Sequence, residues 1–347
     1  TYFSRERLFD ISLQGTGSMS RPLSIAVAPF DRTLPLMAGL VPIAGVAPTY
    51  VTAPLEEIFA RAFDEQAFDV TELSFSNYLY LTATTGCPYV GLPVFPSRAF
   101  RHSAVYIRTD RGIRGPRDLA SRLVGVREFS MTAALVARGV LEDDFGLRAA
   151  EVRWRYGPAD SEDSQPIIRV RPRGVELEPL TGADNLSDAL AEGALDALIA
   201  YKPPKAFLKG APNIRRLFVD YPAIEADYAR RTGIFPIMHL IGVRREIAER
   251  EPDLCRHICD AFDAARRYAM ARTQETQAPF TSLPWAPAEM ARVSGILGGD
   301  FWRYGVQANR AAIEALCRYS FEQGIAPRKL TPEELFVPGT LHWESTA

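Results

Sequence analysis

Lysine is nearly missing from this chain. Lys202, Lys205, Lys209 and Lys329 are the only ones, so 36 of the 40 cations spread over 347 residues are arginines. The 42 acidic residues balance them. Without a basic excess, a dedicated nucleic-acid binder is excluded. Biased genome composition accounts for most of the skew, yet arginine's planar fork grips carboxylate oxygens better than an ammonium does, so its placement carries information. Cysteine is as sparse: Cys87, Cys255, Cys259 and Cys317 are too few and too scattered for a disulfide framework. Cys255 and Cys259 bracket His257, but on the helix expected from about 253 to 271 position 257 points away from the 255/259 face, which makes them buried thiols rather than metal ligands. With four histidines in all, imidazole ligands are in short supply. No apolar run approaches the ~18–20 residues of a membrane span. Residues 1–18 lack the apolar core of a signal peptide. Residues 1–21 are read as a leader or upstream extension outside the fold, with Met19 as a natural start and the cytoplasm as the expected location. A P-loop, a dinucleotide-binding glycine motif, a Gly-x-Ser-x-Gly elbow and His-Glu-x-x-His are all absent.

What is present is an ordinary globular composition, 47% hydrophobic and 24% charged, long enough for two domains. Strand and helix patterns alternate. Ser24–Ala28 reads as a strand, 54–67 as a helix with Glu56 and Glu57 at its positive end, and 68–73 as a strand. Strands follow at 90–95 and 104–108, and the rhythm restarts near 109 with a strand at 123–126, a helix at 131–140, and strands at 152–156 and 197–200. Further strands are expected at 214–219 and 236–243, and helices at 253–272, 286–297 and 306–323. The predicted fold is α/β and bilobal. Two Rossmann-like lobes, 22–108 with 206–347 and 109–205, are joined by a two-segment hinge at 108–110 and 201–206. Ligand loops then converge in the cleft between them.

The segment Phe95-Pro96-Ser97-Arg98-Ala99-Phe100-Arg101-His102-Ser103 is the strongest local signal, because it follows a strand end and carries two arginines, a histidine, two serines and two aromatics. Arginine forks suit carboxylates, phenylalanine faces suit a ring and histidine suits proton traffic; ordinary packing phenylalanines in a solvent loop are the bland alternative. His239 lies in an apolar strand, where a core residue bonded to the backbone competes with a functional one. Asp31 and Arg32 occupy the turn after the first strand, and Glu128 and Thr132 flank a helix N-terminus that could bind an anion. A divalent metal held by His102, His239 and a carboxylate across the cleft is left open.

In chain order, Phe30-Asp31-Arg32-Thr33, Phe68-Asp69-Val70 with Glu72 and the serines Ser74 and Ser76, and Pro93 through Ser103 are followed by Val124-Gly125-Val126, Met131-Thr132-Ala133, Thr232 through His239, and Tyr304-Gly305 with Asn309-Arg310. Together these blocks resemble the 4,5-dihydroxyphthalate decarboxylase family, whose fold is like that of type II periplasmic binding proteins. Pro29-Phe30 and Phe129-Ser130 depart from the family's pattern. The resemblance implies a carboxy-lyase that converts 4,5-dihydroxyphthalate to protocatechuate and CO2 in aromatic catabolism, without a redox cofactor. It points to His102, His239, Asp31 and Glu128 as catalytic, and to Arg98, Arg101, Arg32, Ser74, Ser76, Ser97, Phe100, Thr132 and Phe235 as substrate-binding. The alternatives are a solute-binding protein that captures a small organic anion for a transporter, and a decarboxylase of another aromatic acid such as an isomeric phthalate. The expected partner is a small aromatic carboxylate, with no nucleic acid and no membrane. Trp285, Trp302, Tyr304 and Trp343 on the C-terminal segments could finish the first lobe's core or form a homo-oligomer interface.

Overall fold

A computed structural model describes residues 20–160 and 170–346. The expected leader falls almost entirely outside these residues, except that Arg21 already pairs with Val46 as the first residue of a strand. The first half of the chain gives β1 (Arg21–Ala26), α1 (Leu34–Met37), β2 (Val46–Val51), α2 (Leu55–Glu65), β3 (Val70–Ser74), α3 (Phe75–Ala83) and β4 (Tyr89–Arg98). Then come β5 (Val105–Arg108), β6 (Leu123–Val126), α4 (Thr132–Phe145), β7 (Arg153–Tyr156), β8 (Leu177–Pro179), α5 (Leu186–Glu192), β9 (Ala197–Ile199), α6 (Lys205–Leu208) and β10 (Ile214–Arg216). The chain closes with α7 (Tyr221–Thr232), β11 (Ile237–Arg244), α8 (Arg245–Arg250), α9 (Pro252–Thr273), α10 (Ala286–Leu297) and α11 (Arg310–Glu322).

The strands form two mixed sheets, in the order β2-β1-β3-β11-β4 and β10-β5-β9-β6-β7-β8. In the first sheet β11 runs antiparallel between β3 and β4, and all three are almost wholly apolar or buried, as strands covered on both faces must be. The helix α2 shows why its residues are helical. Ile58, Phe59 and Ala62 share one buried stripe, Glu56 and Glu57 complement the helix dipole, and Gln66 ends the last turn in the left-handed conformation. Full burial of Ile58 stabilises by about 1.5–3 kcal/mol.

Sheet membership differs from the expected division of the chain. β5 pairs with β9, and β10 pairs with β5 at the edge of the second sheet, so the chain changes sheet between 98 and 105 and again between 216 and 237. A four-residue strand carries no sequence mark of its neighbours, so its register with β9 was not readable. β2, on the edge beside β1, had no sequence expectation at all.

The second sheet does not stand apart from the first. α4, which follows β6, packs against α3 and α11. At the contact Gly139 meets the ring of Tyr319; a Cβ there would stand 2.5 Å from that ring. Buried Arg138 donates to Gln323 Oε1 (2.7 Å) and to Phe129 O (2.6 Å), and its guanidinium lies 3.7 Å from the centre of the Phe129 ring. Cys87, Cys255, Cys259 and Cys317 are buried free thiols, while His257 is exposed, as helical phase required. Tyr304 and Trp343 are buried in the core, whereas Trp285 is exposed. Among the described residues no helix is long and apolar enough to cross a membrane.

Candidate active site

A cavity of about 210 Å3 lies where the two sheets meet. The first sheet contributes Ser74 at the end of β3, Ser97 at the end of β4, and Met238 and His239 at the start of β11. Register sets them side by side, since His239 is the cross-strand neighbour of both Ser74 and Ser97. The second sheet contributes Arg127 and Glu128 from the turn after β6, Thr132 at the start of α4, and Tyr201 after β9; Glu56 and Phe59 reach in from α2.

His239 is fixed from behind. Its Nδ1 lies 2.6 Å from Oε1 of Glu72, whose side chain is fully buried and whose Oε2 accepts the Ala28 N–H at 3.1 Å. Glu72 stands two residues before Ser74 on β3 and so shares its face. A carboxylate on Nδ1 holds the proton there and leaves Nε2 as the exchanging position. The edge of Phe59 packs on the imidazole with ring centres 4.9 Å apart.

Glu128 is also buried; its Oε1 accepts from Ser130 Oγ at 2.7 Å and from Asn77 Nδ2 at 3.2 Å. Glu56 Oε1 accepts from the Tyr201 hydroxyl at 2.5 Å and lies 3.5 Å from Arg127 Nη1. Arg101 Nε points at Met238 Sδ, 3.2 Å away. Burial pushes the Arg101 pKa down to about 10, against the pull of Glu225, so the guanidinium stays charged at neutral pH. Thr132 Oγ1 accepts the Ser76 N–H at 3.0 Å and lies 3.1 Å from Ser74 Oγ, which draws the first turns of α3 and α4 together. Two helix N-termini and the guanidinium groups of Arg101 and Arg127 thus adjoin the cavity, alongside the carboxylates of Glu56 and Glu128.

Of the residues singled out from the sequence, Ser74, Ser97, Arg101, Glu128, Thr132 and His239 line this cavity. Ser76 is fully buried behind it and contributes its backbone N–H. The others lie elsewhere. Asp31 is exposed and paired with Arg32 Nη1 at 2.7 Å; Arg32 donates through Nε to Pro96 O, and its guanidinium lies over Phe30 and Trp302. Arg98 follows Ser97 on the same strand, so the pleat turns it to the opposite face. There it donates to Arg303 O (2.8 Å) and Asn309 Oδ1 (2.6 Å). Phe100 and Phe235 stack on each other 5.1 Å apart, away from the cavity.

His102 is the main correction. Its ring is buried edge-on against Phe218 and Tyr228, at 5.5 and 5.4 Å, and it lies 3.8 Å from Glu225 Oε1. Burial pushes its pKa down to about 4, which makes it a neutral core residue at physiological pH. It does not line the cavity that holds His239, so the expected His102–His239 proton-transfer pair is not assembled, nor is a metal site bridging the two. Among the described residues no cluster of three or more His, Cys, Asp or Glu side chains is arranged to hold a metal ion.

Sequence reasoning missed Glu72, Glu56, Asn77, Arg127 and Tyr201 as site residues. Glu72 had a usable signal, a carboxylate inside an apolar strand that must find a buried partner. Arg127 and Tyr201 sit one and two residues past the ends of β6 and β9, where ligand loops gather.

The chain is 38% identical over 320 residues to a protein of Comamonas testosteroni named 4,5-dihydroxyphthalate decarboxylase, an alignment that covers 92% of this chain and 97% of the relative. It is 42% identical over 209 residues to a Pseudomonas putida protein of the same name, covering 60% and 81%. No family model matches. Among solved structures, it resembles the periplasmic aliphatic sulphonate binding protein SsuA of Escherichia coli, with a TM-score of 0.51, 15% identity and 91% and 92% of the two chains covered. A periplasmic sulfonate-binding protein SsuA from Methylobacillus flagellatus aligns with a TM-score of 0.56, 12% identity and 92% of each chain. The fold is thus that of the type II periplasmic binding proteins, and the chain belongs to the 4,5-dihydroxyphthalate decarboxylase family.

Proposed function

We propose that this chain is a non-oxidative decarboxylase that converts 4,5-dihydroxyphthalate to protocatechuate and CO2, and that the inter-lobe cavity is its active site. The observation that carries the reading is the Glu72–His239 dyad beside Arg101 and Arg127 in a cavity sized for a single-ring acid. About 210 Å3 falls below the ~300 Å3 at which pockets for drug-sized ligands begin.

The reaction needs one proton and no net electron transfer. The dianion takes up a proton, releases CO2 and leaves a monoanion. Each carboxylate of the substrate has a ring hydroxyl para to it, which feeds electron density to the carbon that bears it. In the proposed mechanism Arg101 and Arg127 hold the substrate's anionic groups. His239, protonated and steadied by Glu72, delivers its Nε2 proton to that carbon. The carbon–carboxylate bond then breaks, its electron pair returns to the ring, and solvent reprotonates the imidazole. In this mechanism Glu128 and Glu56 accept hydrogen bonds from the ring hydroxyls. Because no electron enters or leaves, neither an oxidant nor a reductant is called for, and the proposal includes no redox cofactor.

Purified protein incubated with a panel of hydroxylated and unhydroxylated phthalates and hydroxybenzoates tests this reading. Rapid CO2 release from 4,5-dihydroxyphthalate, and slow or no release from acids that lack a para hydroxyl, is expected. Tight binding of the panel with every acid recovered intact would instead support solute capture.

A further inference from the structure

Arg98 and Phe235, which the family resemblance associates with substrate, line a second cavity on the far side of the β4 end. It encloses about 540 Å3, with Arg98 buried at its base and Arg230 and Arg303 exposed at its rim. Among the described residues none of these three arginines forms an ion pair. The single carboxylate that lines the cavity, Asp300, is already held by Arg266 at 2.5 and 3.1 Å. The buried Nε of Arg98 has no hydrogen-bond partner. Phe235, Ile296, Leu297 and Phe301 continue from this cavity into an adjoining one of about 510 Å3, which adds Phe100 and Trp302. Phe235 stacks on Phe100 and meets Trp302 edge-on at 5.3 Å.

Arg98 also ties β4 to the turn at 303–309 through its bonds to Arg303 O and Asn309 Oδ1. That role explains its burial. It does not account for two more unpaired arginines over an open volume with aromatic walls. Arginine side chains around a volume walled by Phe235 and Phe301 suit a carboxylate on a flat apolar body.

We propose that this second cavity binds a small aromatic carboxylate at a site separate from the inter-lobe active site. One ring carboxylate would meet the guanidinium cluster while the ring lies along Phe235 and Phe301. Such a site would let substrate or product concentration act on the chain from outside the catalytic cavity.

Equilibrium dialysis with radiolabelled phthalate tests it, since phthalate has the two carboxylates but none of the hydroxyls that decarboxylation needs. Wild-type protein is expected to bind two equivalents per chain. The double variant Arg230→Ser/Arg303→Ser alters exposed positions only and should weaken one class of site at least about tenfold. Arg101→Gln should weaken the other class alone. One wild-type equivalent that Arg230→Ser/Arg303→Ser removes also supports the site. One equivalent that Arg101→Gln abolishes, or two that Arg230→Ser/Arg303→Ser leaves unchanged, would overturn it. The readout is binding, so a chain without decarboxylase activity would pass or fail on its own terms.

Discussion

At the scale of single residues, the proposed proton transfer rests on a histidine whose far nitrogen is committed to a buried carboxylate. With Nδ1 held 2.6 Å from Glu72, only Nε2 of His239 is free to exchange with a substrate. His239→Gln keeps the volume and removes the acid, so kcat is expected to fall at least about 100-fold with KM changed much less. Glu72→Gln keeps the hydrogen bond and loses the charge; kcat should drop about tenfold or more, again with little effect on KM. Steady-state kinetics on both variants checks this. His102 behaves differently. Its pKa is pushed down to about 4 in the fold, below the ~6.5 of the unfolded chain, so its stabilising contribution is full above about pH 6.5 and is lost as pH falls through about 4. Denaturant melts of His102→Phe should therefore lose less stability between pH 7 and pH 4 than the wild type, by an amount on the order of 1–3 kcal/mol. The residue list was legible in the sequence only to the point where side-chain direction matters. Ser97, Arg98, Arg101 and His102 share one segment, and the strand pleat sends Ser97 and Arg98 to opposite sides. Spacing marks the segment but not the face that meets the ligand.

At the scale of elements, most strands and helices could be read from periodicity, because α2, α9 and the β3–β4–β11 core are long and strongly patterned. What could not be read was pairing. β5 and β10 are four and three residues long, and their place in the second sheet depends on the pairing of β5 with β9 and of β10 with β5. The contact between α4 and α11 was equally silent, since a glycine within a helix looks like a weak position until its neighbour is known. Gly139 permits the close approach of Tyr319, whose hydroxyl bonds Asp143 at 2.6 Å. Gly139→Val should push the two helices apart and destabilise the protein by about 1–3 kcal/mol through overpacking, despite valine's lower backbone entropy cost. A lower urea midpoint with an unchanged m-value would record it; a midpoint at or above that of the wild type would contradict the packing argument.

At the scale of the molecule, a binding-protein fold carries a decarboxylase family, and the proposal assigns the chemistry to what lines the cleft. The near absence of lysine is mostly background. Arg101 and Arg127 are the members of the arginine set that face the inter-lobe cavity, and Arg98, Arg230 and Arg303 face the second one. The central claim is that the cleft delivers a proton to a ring carbon. Turnover of 4,5-dihydroxyphthalate in D2O, read by proton NMR and mass spectrometry, addresses it most directly. Wild-type protein should yield protocatechuate with one deuteron on the carbon next to the retained carboxylate, and His239→Gln should yield almost none. Unreacted substrate with the wild type, or labelled product formed by His239→Gln at the wild-type rate, would contradict the account.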